Sequence, residues 1–178
     1  MPKLPGNQHR YETVRDLVNE IHATKIAEIG VMKGETAMFL LKNCPQIEAY
    51  LLVDPKIYYP FYEAVMKYKT SFFKMKSEQA ALLIADKSLD LVFIDGLHDF
   101  RNVTLDLNLW LPKVRKGGIL CGHDYGQLTV SYRNKIEVTE AVDKFFGAEN
   151  IDYILDIQGS INKRPEDEHR SVWIYHVK

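Results

Sequence analysis

Four side chains that can hold a cation or move a proton fall into two short clusters, Asp95 with His98 and His123 with Asp124. Asp95 closes the apolar run Leu89 to Ile94, and His123-Asp124 stands just past the run Gly118 to Cys121. If those runs are neighbouring strands of one sheet, their ends lie about 4.8 Å apart. Two carboxylates at that separation can share a hard cation, and an incomplete, oxygen-rich ligand set suits Mg²⁺ or Mn²⁺. An imidazole titrating near pH 6.5 suits proton removal at neutral pH, which makes His98 a candidate general base. Plainer readings of the same residues stay open. Asp95 could cap the turn at Gly96, His123 could bond a backbone carbonyl, and Asp124 could cap a loop.

A second constellation lies earlier. Gly30-Val31-Met32-Lys33-Gly34 follows the apolar run Ile26 to Ile29, and Glu28 stands two residues before the first glycine. Glycines there permit a tight turn and close ligand approach, although a plain turn with a helix cap would look the same. Asp54 closes the run Tyr50 to Val53, where an acidic group can hold two ribose hydroxyls. The turn lacks Gly-x-Gly-x-x-Gly, and Lys33-Gly34-Glu35-Thr36 is not a Walker sequence. A ribose-holding acid without a phosphate cradle points to a nucleoside that carries no phosphate. S-adenosylmethionine is the common one.

The elements that must position these residues alternate along the chain. Helical spacing runs over Tyr11 to His22, Thr36 to Lys42, Phe61 to Tyr68, Ser77 to Ile84, Val103 to Leu111 and Val138 to Phe146. Strand patterns run over Lys25 to Gly30, Tyr50 to Val53, Ser71 to Met75, Leu89 to Ile94, Gly118 to Cys121, Tyr153 to Ile157 and Val172 to Val177. The turn Lys116-Gly117 introduces the fifth strand, and the charged stretch from Gly159 to Arg170 reads as an exposed loop. The expectation is an α/β fold, a Rossmann-like doubly wound sheet of seven strands. It is mostly parallel and ends in an antiparallel C-terminal hairpin. Ligands of such sheets bind at the carboxyl ends of the strands, where the candidate residues fall.

The stretch from Glu28 to Thr36 looks like motif I of class I methyltransferases. Val92-Phe93-Ile94-Asp95-Gly96-Leu97-His98, then Trp110-Leu111-Pro112, then Gly117 to Tyr125, resemble the small methyltransferase family often labelled type 24. That family is similar to metal-dependent catechol and macrolide-sugar O-methyltransferases, and the resemblance runs from about Tyr11 to Phe146. It implies that Glu28, Gly30, Gly34 and Thr36 line the methionine and ribose side of S-adenosylmethionine. It also implies that Asp54 meets the ribose, that Ser77 lies near the adenine with Lys56 and Tyr58 shaping its pocket, and that Asp95 borders the cofactor. By position, Asp95, His123 and Asp124 would hold a divalent metal, Mg²⁺ or Mn²⁺, and His98 would be the base. The relatives usually carry a carboxylate where this chain has His123. That departure shifts the preference toward Mn²⁺, Fe²⁺ or Zn²⁺ and leaves a metal-free site open. The implied acceptor is a small molecule with a sugar or phenol hydroxyl.

Composition gives no reason to expect several other classes. A formal net charge of −1 gives no reason to expect an electrostatic grip on nucleic acid or an anionic membrane. No apolar run approaches the roughly 20 residues of a bilayer span, and residues 1–10 carry no signal-peptide core. Two cysteines, Cys44 and Cys121, suit reduced thiols in the cytoplasm. The expectation is one domain over 1–178, with a homodimer open. Trp110 reads as core, and Lys113, Arg115 and Lys116 as a solvated face. Asp99 and Arg101 read as a solvent pair, and Tyr125 with Tyr132 as candidates for a lid over 125–135. Three rival functions stay open. They are metal-independent N- or O-methyl transfer, a non-catalytic S-adenosylmethionine or nucleoside sensor, and a nicotinamide oxidoreductase, which the missing glycine fingerprint disfavours.

Overall fold

A computed structural model describes residues 8–126, 130–131, 134–155 and 171–178. Seven strands form one sheet: β1 (Lys25–Ile29), β2 (Ala49–Val53), β3 (Thr70–Phe73), β4 (Leu89–Ile94), β5 (Val114–Tyr125), β6 (Asp152–Leu155) and β7 (Ser171–His176). Their order is β3-β2-β1-β4-β5-β7-β6. The first five pair in parallel, while β7 runs antiparallel between β5 and β6. This is the expected doubly wound sheet, and its order reverses between β1 and β4.

Period-two alternation divides the strand side chains between two cores. On one face Ile26, Tyr50, Leu91 and Phe93 pack under α1 (Arg10–Glu20), α2 (Glu35–Asn43) and α3 (Tyr59–Val65). On the other, Ala27, Ile29, Val92 and Ile94 meet α4 (Ser77–Ala81), α5 (Phe100–Trp110) and α6 (Val138–Phe146). Trp110 and Trp173 are among the largest fully buried side chains. Among the described residues no helix is long and apolar enough to cross a membrane.

Several sequence expectations change in detail. The Lys116-Gly117 turn does not precede the fifth strand but interrupts it. β5 begins at Val114, its register against β4 shifts between Leu89 and Leu91, and Gly117 absorbs the irregularity at φ +73°. Among the described residues Asp99 makes no side-chain ion pair with Arg101. It caps α5, accepting from the backbone N–H of Asn102 at 3.1 Å and from its Nδ2 at 2.6 Å. Arg115 is more than a solvated charge, since its Nε donates to Asp90 at 2.6 Å. The other Asp90 oxygen accepts from the N–H groups of Thr24 and Lys25, tying the entry of β1 to β4 and β5. Tyr132 and the loop at 159–170 lie outside the described residues. Of the proposed lid, Val130–Ser131 pairs antiparallel with Asn134–Lys135.

The exit of β1 is the tightest place in the sheet. The N–H of Gly30 donates to Val53 O at 2.9 Å, and that of Asp95 to Ile29 O at 2.7 Å. Gly30 sits at φ +87°, and a Cβ there would lie 2.2 Å from the carbonyl oxygen of Asp95. Both the backbone angle and the space demand glycine. Gly30→Ala should therefore lose on the order of 2–3 kcal/mol of stability, read as a lower urea midpoint at unchanged slope. A midpoint equal to wild type would show that the turn relaxes freely.

Candidate active site

A cleft of about 900 Å³ opens over the carboxyl ends of the strands. Its lining includes all ten residues singled out from the sequence: Glu28, Gly30, Gly34, Thr36, Asp54, Ser77, Asp95, His98, His123 and Asp124. The volume lies near the upper end of small-molecule sites.

The two glycines of the turn serve the protein's own packing. Gly30 lies against the end of β4, and a Cβ on Gly34, at φ +73°, would strike the ring of Phe61. Asp54 holds this turn in shape. Its Oδ2 accepts from the N–H of Val31 at 3.0 Å and of Met32 at 2.8 Å, and its Oδ1 from the N–H of Lys56 at 2.8 Å. Lys56 and Tyr58 also line the cleft.

Glu28 is only 2% exposed, and its Oε2 accepts the Tyr50 hydroxyl at 2.6 Å. The two residues share the α1–α3 face of adjacent strands. Burial pushes the Glu28 carboxyl up to about 8, with the Tyr50 bond acting against the rise and the charge of Asp95 adding to it. Arg10, at the start of α1, reaches the same end of the cleft. Its guanidinium lies 3.7 Å from Asp95 Oδ2 and 3.4 Å from Glu35 Oε2. Nothing in the spacing of the sequence marks Arg10, because the contact joins the first helix to the end of the fourth strand.

Asp95, His98, His123 and Asp124 come together as the sequence suggests, through a device it does not show. Consecutive residues of a regular strand point to opposite faces. Here the β5–β7 register shifts between Gly122 and Tyr125, and Asp124 takes φ +59°. That bulge brings both His123 and Asp124 into the cleft. His98 Nε2 lies 3.1 Å from Asp124 Oδ2 and 3.8 Å from Asp95 Oδ1, neither with hydrogen-bond direction. His123 Nδ1 lies 3.3 Å from Asp124 Oδ1 and 3.9 Å from Asp95 Oδ1. One ligating atom each from Asp95, His98 and Asp124 falls within 4.8 Å of the others. Asp95 first, and Asp124 with it, hold the His98 imidazole above its usual pKa, against desolvation. The loop carrying His98 is pinned from α6: Glu137 N–H donates to His98 O at 2.8 Å, and Phe100 N–H to the Glu137 carboxylate at 3.0 Å.

At the other end, Ser77 donates to Asp106 and accepts from Trp110 Nε1 at 2.8 Å. Burial lifts the Asp106 carboxyl to about 6, with the Ser77 bond opposing. Sequence reasoning passed over Asp106, yet a signal was there. It is an acidic residue at helical spacing with the core residues Val103, Leu107 and Trp110. Tyr125 is not among the residues of the cleft wall. Its hydroxyl donates to Asp143 at 2.7 Å and its ring tilts against Tyr153.

Solved structures share this fold. The N-methyltransferase NodS from Bradyrhizobium japonicum WM9 superposes with a TM-score of 0.67 at 13% identity, covering 94% of each chain. The O-methyltransferase from Bacillus cereus in complex with SAH gives 0.66 at 14% identity, covering 95% of this chain and 80% of that one. The 1,6-didemethyltoxoflavin-N1-methyltransferase from Burkholderia thailandensis, with S-adenosylhomocysteine bound, gives 0.65 at 10% identity, covering 94% and 78%. No curated protein matches the sequence. The family model described as a methyltransferase domain matches residues 27–125, from β1 through the bulge of β5. That match takes in the glycine turn and the acidic strand ends Asp54, Asp95 and Asp124, and by it the chain belongs to the methyltransferase-domain family, as a class I S-adenosylmethionine-dependent methyltransferase.

Proposed function

We propose that the protein transfers the methyl group of S-adenosylmethionine to a hydroxyl of a small molecule, of the sugar or phenol kind. In this reading His98 is the general base, and a divalent metal, Mg²⁺ or Mn²⁺, sits on Asp95 and Asp124. One observation carries it: two carboxylates and an imidazole converge in the same cleft as the glycine turn. The cleft suits a cationic sulfonium, because carboxylates outnumber cations along its lining and no glycine fingerprint for a pyrophosphate is present. The carboxylates of Asp95 and Asp124 suit a divalent cation; the imidazole whose ligating atom lies within 4.8 Å of both is that of His98, while His123 Nδ1 lies 3.3 Å from Asp124 and 3.9 Å from Asp95.

S-adenosylmethionine supplies an electrophilic methyl group and leaves as a neutral thioether, so the protein need provide no acid. Its tasks are to align donor and acceptor and to remove one proton. His98 has about a third of its side chain exposed, against 3% for His123. His98 is the more accessible of the two imidazoles, although its Nε2 is buried beside the carboxylates, and it is assigned to the acceptor hydroxyl; the nearby Asp124 carboxylate would stabilise the imidazolium. His123, buried against both carboxylates, is assigned as the third ligand. A divalent ion there would lower the pKa of an acceptor hydroxyl. Glu28, Gly30 and Thr36 then face the methionyl part of the donor and Asp54 its ribose.

The assignment is tested by titrating Mn²⁺ and following labelled-methyl transfer to a panel of phenols and sugars. His98→Ala should lower turnover about 10²–10⁴-fold while keeping Mn²⁺ affinity. Loss of Mn²⁺ binding in that variant would make His98 a ligand instead of the base. Asp124→Asn should weaken Mn²⁺ at least about tenfold, and full turnover in the presence of EDTA would remove the metal from the scheme.

Glu28 makes a separate prediction. A carboxyl with a raised folded-state pKa holds its proton more tightly when folded. Its contribution to stability is complete below about 4.5 and is lost as pH rises through about 8. Wild type should therefore lose stability across that window, on the order of 1–4 kcal/mol, and Glu28→Gln should flatten the curve. Parallel pH profiles of the two melting temperatures would show that Glu28 does not titrate there.

A further inference from the structure

Among the described residues His98 Nε2 has no hydrogen-bond partner, and the carboxylates of Asp95 and Asp124 stand near it without hydrogen-bond direction. Charge draws the ring toward them but does not fix its angle. The placement of His98 therefore falls to the backbone that carries it, and that backbone is held from α6. Glu137, the residue before α6, grips the step from loop to helix at both ends. Its N–H donates to His98 O at 2.8 Å, and its carboxylate accepts from Phe100 N–H at 3.0 Å. Phe100 opens α5, where backbone N–H groups have no partner within the helix. Asp99 takes the N–H of Asn102 from the same turn, while Glu137 takes that of Phe100 from another helix. Its negative charge also suits the positive end of α5. Lys144, further along α6, lies 5.2 Å from the centre of the Phe100 ring.

The same helix supports the other half of the cluster. Gly126 N–H donates to Thr139 Oγ1 at 2.8 Å, and the Tyr125 hydroxyl to Asp143 Oδ1 at 2.7 Å, just past Asp124. His98 and Asp124 come from different loops, and α6 is their common support across a gap of 3.1 Å. Glu137 itself is not among the residues of the cleft wall.

We propose that Glu137 is a positioning residue for methyl transfer, fixing the His98 loop so that the imidazole meets the acceptor hydroxyl. This rests on the reading of His98 as the general base. A base misplaced by about 1 Å can cost on the order of 10²-fold in rate. Donor binding, which falls to the glycine turn and Asp54, does not pass through this loop.

Labelled-methyl transfer by the full chain, with whichever phenol or sugar wild type methylates fastest, tests this beside calorimetric titration of S-adenosylhomocysteine. Glu137→Ala should lower kcat about 10–10²-fold, with KM for S-adenosylmethionine and affinity for S-adenosylhomocysteine unchanged. Glu137→Gln keeps a side-chain oxygen for the Phe100 N–H and should restore most of the lost turnover. Combined with His98→Ala, Glu137→Ala should cost nothing further, because it acts through that imidazole. Wild-type kcat in Glu137→Ala overturns the inference. So does a fall in donor affinity alongside kcat, or a further loss in the double variant, since either marks a structural role. A glutamine variant as slow as the alanine one overturns it as well, because the bond from Phe100 is then not what the side chain supplies. Full turnover by His98→Ala overturns the base reading itself, and the inference falls with it.

Discussion

Everything functional in this fold depends on the close approach of β1 and β4 where they leave the sheet. The bond from Asp95 N–H to Ile29 O, at 2.7 Å, and the contact of Gly30 with the Asp95 carbonyl set the turn directly against the acidic strand end. A sheet of this winding opens a crevice where its strand order reverses, which here is between these two strands. Residues that would handle the methyl donor thus lie on one wall and residues that would handle the acceptor on the other. No side chain at position 30 could be admitted without prising the walls apart.

Around that crevice the protein keeps carboxyl groups in places where water cannot stabilise their charge. Glu28 has a tyrosine hydroxyl in front of it, and Asp106 a serine held by an indole. Each partner supplies one neutral hydrogen bond, which is too little to offset burial, and both groups titrate well above the ordinary carboxylate range. Asp54 is handled differently. Three backbone N–H groups converge on its two oxygens. The acid expected to meet a ribose is thereby also the brace of the glycine turn, so cofactor contact and turn geometry share one side chain. Two of the four non-glycine residues at positive φ among the described residues stand in the same region. Met32 and Asp124 both adopt positive φ, and both border the cleft.

The architecture was legible from the residues because parallel strands buried on both faces are short apolar runs. Leu89 to Ile94 was bounded correctly for that reason, and the helix Val138 to Phe146 by the helical spacing of its apolar residues. The polar residues closing those runs had to gather on one rim once the sheet was doubly wound. Fold class, crevice and the strand-end residues followed from periodicity and adjacency, which are local properties, while Thr36 came only with the resemblance to the methyltransferase family. What the chain did not disclose needs contact between distant segments or departure from regular geometry. Arg10 reaches Asp95 only because α1 packs beside the sheet. Asp106 meets Ser77 because α4 and α5 share a face. The bulge that turns His123 and Asp124 into one cleft depends on β7 pairing out of register with β5, a constraint set by a strand some 50 residues later in the chain. Residue types and spacing determined which chemistry was available. Tertiary structure decided which groups stand close enough to share it, since hydrogen bonds and charge interactions act over a few ångströms of space and not along the sequence.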